Sequence, residues 1–256
     1  MLRISLVAAG AGLTLALAAA GIQASPKIPA YVAAAVADKS RPEADTQRDA
    51  DRKPAETLAF AGVKPGETVG ELIPGGGYYT RLLSATVGPR GKVYALANQR
   101  RPDAPADAPD PAARLNPITS DTHYANVTVN PIKVADLSLP QNLDMVWTSQ
   151  NYHDFHNVKD LDVASLDRAV FNALKPGGVY IVLDHTAEAG SGFRDTSTLH
   201  RIDPEAVKKE VESAGFKLEG TSDVLVNKDD PHTGKVFDSG IKGKTDQFIL
   251  KFRKPK

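Results

Sequence analysis

The stretch Thr68-Val-Gly-Glu71-Leu-Ile73-Pro-Gly75-Gly76-Gly77-Tyr-Tyr79-Thr-Arg-Leu-Leu83 decides the fold. Thr68 to Leu72 reads as a short strand, the three glycines as a sharp turn, and Tyr79 to Val87 as a helix. Glycines at a strand-to-helix turn let the backbone approach a ligand closely, with no side chain in the way. A purely structural turn explains the same residues, so the surrounding chain has to arbitrate.

Working outward, strand and helix alternate. Pro54 sits where a first helical turn tolerates it, Gly62 ends that helix, and Lys64-Pro65-Gly66 turns into the first strand. Further strands are expected at Lys92 to Ala95, Val127 to Val129, Leu143 to Thr148 and Val179 to Leu183, with a helix from Val163 to Leu174. Alternation of this kind predicts an α/β domain, a mostly parallel sheet with helices on both faces. Arg101 to Pro117, with five prolines among Ala and Asp, reads as a surface loop. Pro204 starts a helix running to Ala214, a strand follows at Phe216 to Thr221, and a polar excursion from Asn227 to Lys244 leads to a last strand at Phe248 to Phe252.

At the N-terminus, Arg3 precedes an apolar run from Ile4 to Ile22 that ends among small alanines, the layout of a secretory signal peptide over residues 1–24. Cleavage there predicts a soluble periplasmic protein with no stable membrane anchor. Residues 25–53 form an N-terminal arm, whose charged part from Ser40 to Lys53 is expected to be solvated, and residues 54–256 form the domain. Basic and acidic residues balance at 31 each, which argues against a nucleic-acid partner and leaves a small-molecule ligand or substrate. The chain has no cysteine, which excludes disulfides, thiolate catalysis and Cys-based zinc sites.

Glu71 followed by the glycine turn resembles the first motif of class I S-adenosylmethionine-dependent methyltransferases. Val87 to Ala95 supplies the second strand, Leu174-Lys-Pro-Gly-Gly178 leads into the fifth, and Glu212-Ser-Ala-Gly-Phe216 precedes the sixth. Together these cover most of Lys53 to Lys256, and the whole resembles the bacterial family of exported, predicted methyltransferases. The resemblance implies a Rossmann-like seven-stranded sheet with its last strand antiparallel. It implies S-adenosylmethionine as cofactor, held by Glu71, Gly75, Gly76, Gly77 and Asn98. Ile73 stands where the motif has its first glycine, and Ala97 where the second strand usually ends in a ribose-binding carboxylate, so weakened cofactor binding is expected. Ala97→Asp is expected to strengthen it.

A second candidate site follows the fourth strand at Ser149-Gln-Asn-Tyr152-His153-Asp154-Phe-His156, overlapping the acceptor motif of amino-group methyltransferases, with Ser149 and Tyr152 matching. His185 ends the fifth strand and His200 follows the next loop. Tyr152, His153, Asp154 and His185 are therefore the candidate catalytic residues, facing the acceptor. Imidazoles at the C-terminal ends of neighbouring strands can do acid/base work, or ligate a metal with Asp154, Asp184 or Asp203. The plainer alternative has Asp154 and Asp203 capping helices while the histidines bond loop carbonyls. A binding protein that keeps the fold without catalysis, and a His/Asp enzyme without S-adenosylmethionine, remain open beside the methyltransferase reading.

Overall fold

A computed structural model describes residues 27–100, 104–105 and 107–256; the expected signal peptide lies outside these residues. Seven strands form one sheet: β1 (Thr68–Leu72), β2 (Lys92–Asn98), β3 (Val127–Ile132), β4 (Leu143–Ser149), β5 (Leu174–His185), β6 (Lys217–Ser222) and β7 (Gln247–Arg253). Their order is β3-β2-β1-β4-β5-β7-β6, and β7 runs antiparallel to both its neighbours. The helices are α1 (Ala30–Val36), α2 (Glu43–Thr46), α3 (Asp49–Arg52), α4 (Pro54–Ala61), α5 (Tyr78–Val87), α6 (Asn116–Thr119), α7 (Tyr152–Phe155), α8 (Val163–Ala173) and α9 (Pro204–Ser213).

Side-chain alternation along the strands divides the interior into two layers. Val146, Tyr180 and Val182 meet Val170 of α8 and Val207 and Val211 of α9 on one face. Met145, Trp147, Ile181 and Leu183 meet Val32, Leu58, Leu82 and Leu83 on the other. The central strands β4 and β5 are therefore apolar on both sides, as a sheet covered by helices requires. The order reverses between β1 and β4, opening a crevice at their C-terminal ends where open α/β sheets bind ligands. No helix among the described residues is long and apolar enough to cross a membrane.

Three expectations change. The charged arm is solvated only in part: most of its residues are exposed, but Arg41 and Asp45 are buried, Arg41 grips Asp49 with two hydrogen bonds of 2.8 and 2.7 Å, and Asp45 pairs with Arg81 of α5 at 3.0 Å. The buried charges are matched, Arg41 within the arm and Asp45 to the domain, which a count of charged residues cannot reveal. The proline-rich segment ends in helical turns, from Pro111 to Leu115 and then α6, because Leu115 and Ile118 lie on one side and pack on Ala95 and Ala97. Pro111 and Pro117 stand in first turns, where a missing N–H costs nothing. The fifth strand begins five residues early, at Leu174 beside Leu143, with a register irregularity before Met145 and Val179.

The excursion between β6 and β7 is anchored by Arg201, whose side chain is fully buried. Arg201 donates to both oxygens of Asp230 at 2.8 and 3.0 Å and to the carbonyls of Thr186 and Gly234, each at 2.9 Å. Asp230→Ala leaves that guanidinium buried without its counter-ion, so a loss of about 3–5 kcal/mol is expected in urea unfolding; a loss under about 1 kcal/mol would show that the carbonyls alone satisfy Arg201.

Candidate functional site

The turn after β1 keeps the shape that its glycines dictate, including where glycine is missing. Gly75 has φ +59° and Gly77 +82°, and Ile73 has φ +50°, a strained conformation for a β-branched residue. Two tethers enforce it: the Ile73 N–H donates to Leu96 at 3.0 Å, and the Asn151 side-chain amide donates to the carbonyls of Leu72 and Ile73 at 3.2 Å each. Asn151 thereby ties the loop after β4 to the turn after β1. A side-chain carbon added at Gly75 or Gly76 would meet nothing within 4 Å, whereas one at Gly77 would fall 2.2 Å from Ile118. Gly75 and Gly76 thus present open backbone, and Gly77 serves packing.

The cleft beside this turn has a volume of about 190 Å³, bounded by Glu71, Gly75, Gly76, Tyr79, Ser149 and Asn151, with Arg48 and Arg52 of the arm closing it. Glu71 is buried. Burial pushes its carboxyl up to about 7, against the hydrogen bond that Thr80 donates at 2.6 Å and the attraction of Arg81. Burial likewise pulls Arg52 below its ordinary value; its guanidinium lies 4.6 Å from the Tyr78 ring centre and donates to Gln150 at 2.6 Å. Among the described residues Glu71 and Arg52 form no ion pair, with each other or with any other group. The Ser149 hydroxyl is buried at the same edge without a hydrogen-bond partner. Of the expected cofactor residues, Asn98 is exposed and does not line the cleft. Ala97 is buried against Leu115 and Ile118, so Ala97→Asp would place a carboxylate in an apolar cluster rather than strengthen a ligand contact.

The histidines form a second station one helical turn further on. His153 Nδ1 bonds Asp184 at 2.8 Å, and its Nε2 faces Asp154 and His200, each at 3.3 Å. Burial would pull the His153 imidazole down, but the carboxylates of Asp184 and Asp154 hold it at about 10. His185 is turned aside to bond Thr245 at 2.7 Å, and burial pushes it down to about 4. Tyr152 is fully buried and donates to Asp167 and Glu210 at 2.7 and 2.8 Å, so its hydroxyl belongs to an interior network rather than to an acceptor face. His156 bonds Glu210 and stacks on Phe193. Asp203 caps α9 through the Glu205 N–H, as the plainer reading had it, whereas Asp154 caps no helix. Arg52 and Asn151 were missed as site residues, since only tertiary contact gives them their places, and Asp184, expected as a possible metal ligand, instead bonds the His153 ring and backbone. A larger groove of about 840 Å³ lies at the opposite edge, near the starts of β2 and β3, lined mostly by small side chains.

No family model matches the chain, and no curated protein matches it. Solved structures do. A SAM-dependent methyltransferase from Aquifex aeolicus matches with a TM-score of 0.57 at 20% identity, over 79% of this chain and 88% of that one. The [4+2]-cyclase SpnF matches at 0.59 and 16%, over 85% of each chain. Aeropyrum pernix fibrillarin with natively bound S-adenosyl-L-methionine matches at 0.50 and 16%, over 80% and 76%. The chain has the Rossmann-like class I methyltransferase fold. A cyclase among these neighbours shows that the fold alone does not fix the reaction.

The neutral Glu71 has a measurable consequence. The native state holds this proton between the ordinary carboxyl value of 4.5 and about 7, so stability falls as pH rises through that window. Glu71→Gln stays neutral throughout, so from pH 5 to pH 8 it is expected to gain stability relative to the parent, on the order of 2–3 kcal/mol. Parallel pH profiles in chemical denaturation would refute the shift.

Proposed function

We propose that the chain is an S-adenosylmethionine-dependent methyltransferase whose cofactor lies against the turn after β1, with the acceptor approaching over Asp154 and His200. The observation that carries this reading is the pair of ionisable groups that lack an ion pair and line one cleft, Glu71 on the sheet and Arg52 on the arm. A zwitterionic α-amino-acid group answers both: its ammonium suits Glu71, its carboxylate suits Arg52, and the open backbone at Gly75 and Gly76 admits it. The amino-acid end of S-adenosylmethionine is such a group, and its sulfonium methyl supplies the electrophile when bound. Toward the acceptor, Asp154 is ionised, held below its ordinary value by His153 and His200 against burial, and can accept a proton; the His153 imidazolium supports it.

The adenosine end has less to hold it. With Ala97 packed inward and no carboxylate at the end of β2, one charged hydrogen bond worth about 1.5–3 kcal/mol is missing, a weakening of roughly 10- to 150-fold. The cleft is also below the ~300 Å³ of ordinary ligand pockets, so the whole cofactor requires the Arg48 and Arg52 side chains to swing outward. That small volume favours a second reading, a binding protein for a free α-amino acid.

Titration calorimetry separates the two. S-adenosylmethionine and S-adenosylhomocysteine are expected to bind, more tightly at pH 8 than at pH 5.5 because Glu71 must ionise, with Arg52→Met weakening both by at least about tenfold. Binding of methionine with no response to either nucleoside would favour the amino-acid receptor. No binding of any of the three by the folded protein would remove both readings.

A further inference from the structure

The geometry points to a divalent transition-metal site of the zinc type, formed by His153 Nε2, His200 Nδ1 and an Asp154 carboxylate oxygen. The inference does not rest on the cofactor reading above. These three residues bring their ligand atoms together among the described residues, and the three distances are nearly equal: 3.3 Å between the two imidazole nitrogens, 3.3 Å from His153 to Asp154 and 3.4 Å from His200 to Asp154. An equilateral triangle of this size is one face of a tetrahedron. Zinc bonds to imidazole nitrogen and carboxylate oxygen of ~2.0–2.1 Å give tetrahedral edges of ~3.3–3.4 Å. Octahedral bonds of the same length would bring the donors to ~2.8–3.0 Å.

As hydrogen bonds the same contacts are poor. Charge-assisted N–H···O bonds settle at about 2.7–2.9 Å, as His153 Nδ1 does with Asp184 at 2.8 Å, whereas the three cluster distances are all longer. The bond to Asp184 is the independent sign of a ligand. The His153 side chain is 3% exposed and the Asp184 side chain 0%, so a buried carboxylate engages Nδ1–H and turns Nε2 toward the cluster, where a bound ion would take the place of the Nε2 proton. This carboxylate–histidine pairing is the arrangement that orients metal-binding imidazoles and raises their basicity. His200 is held from its other side by the Phe237 ring, edge-on at 4.8 Å.

Three protein ligands leave the fourth tetrahedral position open. His200 and Asp154 are 31% and 53% exposed, so that position faces outward and takes a solvent or substrate oxygen, the form of a catalytic rather than a structural zinc site. The ion would act there as a Lewis acid on the bound oxygen. His185 takes no part, because its Nδ1 is engaged with Thr245.

The test uses the purified protein, stripped of metal by chelator and titrated with Zn²⁺ by calorimetry and with Co²⁺ by visible absorption. The expected result is one ion per chain, with the intense bands of four-coordinate cobalt. Asp154→Asn and His200→Ala sit on exposed side chains; each is expected to weaken binding at least tenfold and to remove the bands, with the metal-free unfolding midpoint unchanged. Asp184→Asn is expected to weaken binding by about 10- to 100-fold by loosening the His153 ring. Absence of binding in the parent protein, or six-coordinate cobalt, would overturn the site. So would binding that survives both ligand substitutions and disappears in His123→Ala or His232→Ala.

Discussion

One buried carboxylate organises the C-terminal edge of the sheet. Asp184, at the end of β5, accepts three hydrogen bonds of 2.8 Å each, from the backbone N–H groups of His153 and His185 and from the His153 ring. The first of these pins α7 to β5. The third fixes which His153 nitrogen faces outward. A buried charge must be satisfied, and Asp184 is satisfied only when the loop after β4 folds down upon it. Asn151, two residues earlier, then reaches the carbonyls of Leu72 and Ile73. The histidine cluster and the glycine turn therefore share one support, and a displacement of α7 would disturb both.

Electrostatics divides this edge into two stations of different character. In the cleft, burial pushes Glu71 up and Arg52 down from their ordinary values, and neither forms an ion pair among the described residues. Beside it, His153 is surrounded by carboxylates that favour positive charge. A cleft that disfavours its own charges suits a ligand that brings the opposite ones, and a cluster that favours positive charge suits a cation. The arm couples these stations to the outer layer. Arg52 reaches Gln150, while Asp49 accepts from the Tyr78 hydroxyl at 2.7 Å, so α3 rests directly on the residues that follow the glycine turn.

The fold was legible because its signals are local and repeated. A strand, a glycine turn and a helix recur with apolar strands between them, and alternation along β4 and β5 assigns each side chain to one of two faces. The site was legible only in outline. His153, Asp154 and His200 stand at strand ends in the sequence, but nothing local distinguishes them from His156 and His185, which turn to Glu210 and Thr245. Tyr152 matched an acceptor motif yet points inward, because a helix that begins at Tyr152 places successive side chains about 100° apart and sends Tyr152 and His153 in different directions. Arg52 and Asp45 were hidden in a segment whose composition resembles that of a solvated one. Their partners, Gln150 and Arg81, lie 98 and 36 residues away.

The strain at Ile73 bears on why the turn has its shape. A β-branched residue at positive φ costs on the order of 1–3 kcal/mol and persists only where its surroundings over-determine it. Here the surroundings are the Leu96 carbonyl, which receives the Ile73 N–H, and Asn151, which holds the Ile73 carbonyl. Ile73 holds a positive φ that its own side chain disfavours, so the tethers, and not the residue at position 73, set the path of the chain. The path they enforce is the one that leaves Gly75 and Gly76 open beside Glu71. The strain at Ile73 is thus set by the two tethers that hold the turn beside Glu71.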